Sequence, residues 1–286
     1  MIYIILSIFC SVTVAVLLKL AKRYQISVTQ AVTVNYLTAL ILCFLFFKPD
    51  IKVVNTTAPW SIYLSLAVLL PTIFLFLAAS VKKLGIVKTD IAQRLSLFIP
   101  ILAAYFIFKE DFNQLKFIGL GIGFVAIILT FLRKTDDKSG NWLYPLAVFL
   151  GFGIIDVLFK QVALYKELPY TTSLFVVFCL AFLVSLIIVL IMVISRKTRL
   201  QLVNLGCGLI LGLFNFGNIL FYLKAHRALS SNPSTVFAAM NLGVIVVGTF
   251  VGIIVFKEKL SKLNYFGIAL AICAVILITL SQLNAV

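Results

Sequence analysis

The residues able to do chemistry in this chain are few, and they interrupt runs that are otherwise apolar. Asp90 and Arg94 stand four apart, on one face if the segment is helical, with Gln93 between them. Asp156 and Lys160 repeat that spacing. Asn215, Asn218 and Tyr222 fall on one side of a later run, and Asn241 lies as far before Glu258 as Gln93 lies before Glu110. Opposite charges in hydrocarbon are costly, at about 2.5–3.5 kcal/mol for one Arg or Asp at a helix centre. Their presence points to an ionic ligand, to a proton relay, or to ion pairs that hold helices together.

Each of these residues carries a functional reading and a structural one. Arg94 either faces an anionic ligand or closes an internal pair with Asp90. The amides of Gln93 and Asn241 suit a polar ligand but also serve as hydrogen-bonding glue between helices, the commoner use. Lys160 and its counterpart Lys19 lie far along their helices, where a lysine can snorkel to the interface. Asp156 lies deeper, beside Gly151-Phe152-Gly153, which reads as a flexible spot; it and Asp90 are candidates for proton coupling. His226, flanked by Lys224 and Arg227, reads as interfacial.

The elements that position them follow from composition. Hydrophobic residues make up 63% of the 286 residues and charged ones 12%, too apolar for a soluble fold. Runs of about 20 apolar residues can each cross a core of about 30 Å as helices. Ten such spans are expected, at Ile2–Leu20, Thr29–Phe47, Trp60–Val81, Ile86–Phe108, Phe112–Leu132, Trp142–Tyr165, Tyr170–Ile194, Leu202–Leu223, Pro233–Phe256 and Leu260–Gln282. The fourth is unusual. Its uncharged part, Leu95–Phe108, reaches only about 21 Å, so a full span must take in Lys88, Asp90, Gln93 and Arg94. Pro71 and Pro100 should kink their helices. Ser231-Asn232-Pro233 reads as a cap followed by a first-turn proline. The small-residue pairs Gly208/Gly212 and Gly248/Gly252 suit close helix packing.

Phe108-Lys109-Glu110 recurs as Phe256-Lys257-Glu258, and Phe108–Leu132 aligns without a gap on Phe256–Leu280, pairing Gly119 with Gly267. The chain therefore reads as two related halves, 1–132 and 142–286, joined by the polar linker 133–141. Five helices per half is an odd number, so the second half must enter the bilayer from the opposite side. The fold class is an all-α membrane protein of ten transmembrane helices in two inverted five-helix repeats.

Other functions find little support. The net charge of +15 is scattered over short loops, a pattern of membrane topology and not of nucleic-acid binding. Cys10, Cys43, Cys179, Cys207 and Cys273 lie in apolar runs without a Cys-x-x-Cys pair and read as free packing thiols. No motif for catalysis, a metal or a cofactor appears. Met1-Ile2-Tyr3-Ile4 has no basic n-region, so the first segment is expected to stay as a span.

Leu17-Leu18-Lys19 and Leu158-Phe159-Lys160, with Lys109-Glu110 and Lys257-Glu258 and the glycines Gly119 and Gly267 after them, resemble the drug/metabolite transporter superfamily, EamA type. The resemblance covers nearly the whole chain; one departure is Gly248 in the second half where Pro100 stands in the first. It implies a transporter without fixing the cargo. The expectation is alternating-access transport of a small polar metabolite across the cytoplasmic membrane. Arg94 and Lys160, with Lys19 as the repeat counterpart, would attract an anionic group, and Gln93, Asn241, Asn215, Asn218 and Tyr222 would line the cavity. Alternatives are a flippase for a lipid-linked group and a membrane-embedded enzyme. The expected partners are a small-molecule substrate and the lipid bilayer, and the lipid-facing surface has room for a homodimer interface. Sidedness stays open: Lys and Arg are more numerous in the loops after the odd-numbered helices, which puts both termini outside, whereas the resemblance implies termini in the cytoplasm.

Overall fold

A computed structural model describes residues 1–23, 26–54, 58–84, 86–131, 143–195, 200–257 and 261–283. Within these there are helices and no strand, as a chain in lipid requires, because each helix satisfies its own backbone polar groups. The helices are α1 (Ile2–Arg23), α2 (Val28–Phe47), α3 (Trp60–Leu84), α4 (Ile86–Leu95), α5 (Phe98–Phe106), α6 (Gln114–Phe131), α7 (Leu143–Leu164), α8 (Tyr170–Ile194), α9 (Leu202–Ala228), α10 (Pro233–Phe256) and α11 (Lys262–Leu283). Seven stretches among the described residues are long and apolar enough to cross a bilayer. Shorter apolar stretches at Ile2–Leu18, Ala92–Phe106 and Gln114–Leu129 supply the remaining spans.

The fourth expected span is two helices, not one. Pro100 has no N–H for the Ser96 carbonyl, and its ring crowds that oxygen. The chain responds with a tighter turn in which Ile99 N donates to Ser96 O (3.0 Å), Leu97 N donates to Arg94 O (3.3 Å), and Ser96 Oγ donates to Gln93 O (2.6 Å). Pro71, by contrast, lies within an unbroken α3. Helix α9 runs about a turn past its expected end and carries Lys224, His226 and Arg227 inside it.

Inversion of the halves is visible in the hydrogen bonds between equivalent helices. At the start of α6, Asn113 Nδ2 donates to Ser281 O at the end of α11 (2.8 Å), and Asn264 Nδ2 near the start of α11 donates to Leu129 O (3.2 Å). Helices α2 and α8 are likewise antiparallel, with Thr33 Oγ1 on Ser185 O (3.1 Å) and Cys43 Sγ on Thr171 O (3.6 Å). The other pairings come as mirrored sets. Helix α1 lies on α9 as α7 lies on α3, α2 on α9 as α8 on α3, and α1 on α10 as α7 on α4 and α5.

The recurrent Phe-Lys-Glu marks a matching pair of turns. Lys109 and Lys257 both have positive φ, 54° and 52°, in the left-handed region that ends a helix. Lys257 caps α10, its N–H donating to Gly252 O.

Candidate functional site

The site is built where α7 presses on the broken span. Gly153 lies against Ile99 and the Ser96 carbonyl, and Gly151 lies against Ile73 of α3. The Gly-Phe-Gly stretch is therefore a close-packing surface inside a helix, and the expected flexible spot is not found. Gly208 and Gly212 of α9 do the same work against α2, where an added Cβ would stand 2.7 Å from the carbonyls of Ala31 and Asn35. Gly248 differs from the expected packing role, since nothing lies within 4 Å of a Cβ there.

One turn beyond Gly153, Asp156 is set beside the break. Its Oδ1 accepts from Tyr222 Oη of α9 (2.9 Å), and Arg94, at the end of α4, is close enough for its charge to act on the carboxylate. Three helices thus bring an Arg, an Asp and a Tyr together, with both charged side chains half-buried. Gln93, beside Arg94, is also half-buried.

Asp156 and Lys160 make no ion pair, and Lys160 does not snorkel. It is fully buried, donating to Ser230 O (3.0 Å) and His226 O (3.4 Å), where it ties α7 to the end of α9. His226 is likewise enclosed by protein. The longer α9 places it with no exposure between the rings of Tyr222 (4.6 Å between centroids) and Phe237 (4.7 Å), and neither ring nitrogen has a partner among the described residues.

The amides divide. Asn218 Oδ1 accepts from Ser7 Oγ (2.8 Å), joining α9 to α1, and Asn241 Nδ2 donates back to Phe237 O of its own helix (3.1 Å). Asn215 is buried with its Nδ2 unpartnered among the described residues, as are both side-chain polar atoms of Asn35. The side chains of Lys19 and Asp90 lie outside the described residues.

A second polar cluster lies at the end of the bundle that bears residues 107–113 and 229–232. Glu110 Oε1 accepts from Lys116 Nζ (2.6 Å) and from Ser234 Oγ (2.6 Å), and its Oε2 accepts from Ser234 N (2.8 Å). Lys116 Nζ also donates to Asn232 Oδ1 (3.2 Å). All of it is buried except Asn232. Asn232 occupies the expected cap position of α10, but its own side chain makes no capping bond. The Glu110 carboxylate reaches across to satisfy the helix start, where an anion meets both a free N–H and the dipole. From sequence, Glu110 and Glu258 read as turn-capping or gate residues at the turns after the fourth and ninth spans; that Glu110 caps a helix start in the other half, with Lys116 beside it, is signalled neither by charge spacing nor by propensity.

Comparison with known proteins agrees with this architecture. The family model described as EamA-like transporter family matches residues 1–132 and 139–280. A protein of Haemophilus influenzae described as uncharacterized is 40% identical over 284 residues, covering 95% of each chain. A solved crystal structure with 15% identity covers 98% of this chain and 96% of its own at a TM-score of 0.72.

Proposed function

The chain belongs to the EamA-like transporter family; it is a multi-pass membrane transporter of the drug/metabolite type, and from that premise we propose that it carries a small polar metabolite with an anionic or zwitterionic group across the cytoplasmic membrane by alternating access. The observation that carries this reading is the convergence of Arg94, Asp156 and Tyr222 at the interrupted fourth span. A guanidinium and a carboxylate in one place match a ligand bearing both signs of charge, and a break in a membrane helix is where transporters expose polar backbone. Asn215, whose amide donor has no partner among the described residues, and Gln93 complete the polar lining in this reading.

In this mechanism Arg94 attracts the anionic group, and Asp156, released from Arg94 by the cargo, takes up a cationic group or a proton. The two halves rock about this point, with α7 sliding on α3 and on the α4–α5 break through the small surfaces of Gly151 and Gly153. Uptake or efflux of a labelled amino acid panel in proteoliposomes tests the assignment. Arg94→Ala and Asp156→Asn are each expected to lower flux severely; undiminished rates in both remove these residues from the site.

One observation favours a second reading. An apolar groove of about 370 Å³ between α5 and α7, lined by Ile99, Leu102, Phe106, Ile154, Val157 and Leu158, is open at the side of the bundle. A groove of that character suits an acyl or prenyl chain, and so a lipid-linked cargo. Scrambling of a headgroup-labelled lipid-linked sugar, with no flux of free metabolites, would establish that reading instead.

A further inference from the structure

The polar cluster at the 229–232 end joins the two halves at a place that alternating access must open. Glu110 and Lys116 belong to the first half, Asn232 and Ser234 to the second. Three of the four are buried, and the Glu110–Lys116 pair is nearly inaccessible. Lys160, held on the Ser230 carbonyl, adds a positive charge to the same turn. Glu110, Lys116 and Lys160 all reach the α9–α10 turn or the helix start after it.

At the opposite end the positions equivalent to Lys116 and Ser234 carry other residues. In the register that pairs Phe108-Lys109-Glu110 with Phe256-Lys257-Glu258, Lys116 corresponds to Asn264 and Ser234 to Ile86. Glu258 lies outside the described residues. Asn264 is occupied with its own helix start, its Oδ1 accepting from Ser261 N (2.9 Å) and Ser261 Oγ (2.8 Å), and its Nδ2 on Leu129 O. Neither a cation nor a side-chain hydroxyl stands at the two equivalent positions.

We propose that Glu110, Lys116 and Ser234 form a latch between the halves, and that its absence from the equivalent positions makes the resting transporter closed at the 229–232 end. The proposal rests on the alternating-access reading. Helix α10 is the moving part: its first turn is capped by a carboxylate from the other half, so opening that end must uncap it. A two-state protein with a latch on one side populates the other opening, and cargo binding must supply the difference.

Hydrogen exchange of the full chain in lipid nanodiscs, without cargo, tests this. Glu110→Gln keeps the side-chain volume and removes the charge. It is expected to speed exchange over residues 233–240 about tenfold to a hundredfold, the range for losing a charged hydrogen-bond partner. The same variant is expected to slow exchange over residues 83–95, because opening one end closes the other. Ser234→Ala, which removes only the hydroxyl contact, should move both regions the same way by less and serves if Glu110→Gln does not fold. Faster exchange at 233–240 without slower exchange at 83–95 would mean local fraying of a capped helix and would overturn the latch. Unchanged exchange at 233–240 would overturn it too. Reciprocal changes in a protein that moves no cargo would leave the latch standing and remove the transport reading alone.

Discussion

Gly153 of α7 lies so close to Ser96 that a Cβ built on it would stand 2.9 Å from the Ser96 carbonyl oxygen and 2.6 Å from Cβ of Ile99. Neither neighbour is the free end of a side chain, so the helices must part. Gly153→Ala is expected to cost about 1–3 kcal/mol, the range for overpacking, and to depress transport by shifting Asp156 away from Arg94. Gly248→Ala is the control: with open space around it, removing a helical glycine should leave the melting temperature unchanged or raise it. Thermal melting in detergent distinguishes the two, and equal losses would refute the packing account.

Tyr222 and Asp156 act as one unit through their 2.9 Å hydrogen bond. Tyr222→Phe removes a donor to a carboxylate, a contact that contributes about 1.5–3 kcal/mol, and should lower flux about tenfold. The double variant Tyr222→Phe/Asp156→Asn should then be within about threefold of Asp156→Asn alone, because residues in one network are not additive. Losses that multiply would show two independent roles.

Arg94 can be separated from Asp156 by charge. Arg94→Ala removes a cation whose charge acts on the half-buried Asp156 and should lower the melting temperature. Adding Asp156→Asn should restore much of the melting temperature and none of the transport. Recovery of transport with stability would mean that Arg94 serves Asp156 and never meets cargo.

Lys160 holds two carbonyls at the α9 end. Lys160→Met should cost about 1–3 kcal/mol, as expected when buried acceptors lose their donor. Lys224→Met, which gives up only a position 5.7 Å from the Tyr3 ring, should cost less than about 1 kcal/mol. Similar melting temperatures for the two variants would show that the Lys160 contacts do not bear on stability.

Much of the fold is legible in the amino-acid sequence. Apolar run length sets helix ends within a few residues because the bilayer thickness is fixed, and the repeated Phe-Lys-Glu reports the duplication directly. Pro100 announced a disturbance, although not that it would part α4 from α5 while Pro71 left α3 intact. At Pro100 the freed Ser96 carbonyl accepts from Ile99 N and lies against Gly153, a relation that only packing supplies.

For the site, the sequence by itself determined which polar residues the membrane must tolerate and that they lie in two antiparallel halves, since both follow from one-dimensional quantities: hydropathy, spacing and an odd number of spans. Tertiary structure alone decided their partners. Asp156 turned to Tyr222 instead of to Lys160, Lys160 turned inward to backbone carbonyls, and Glu110 crossed to a helix start 124 residues away. A side chain in hydrocarbon takes the nearest complementary group in space, and that distance is set by how helices cross, which spacing along the chain does not encode.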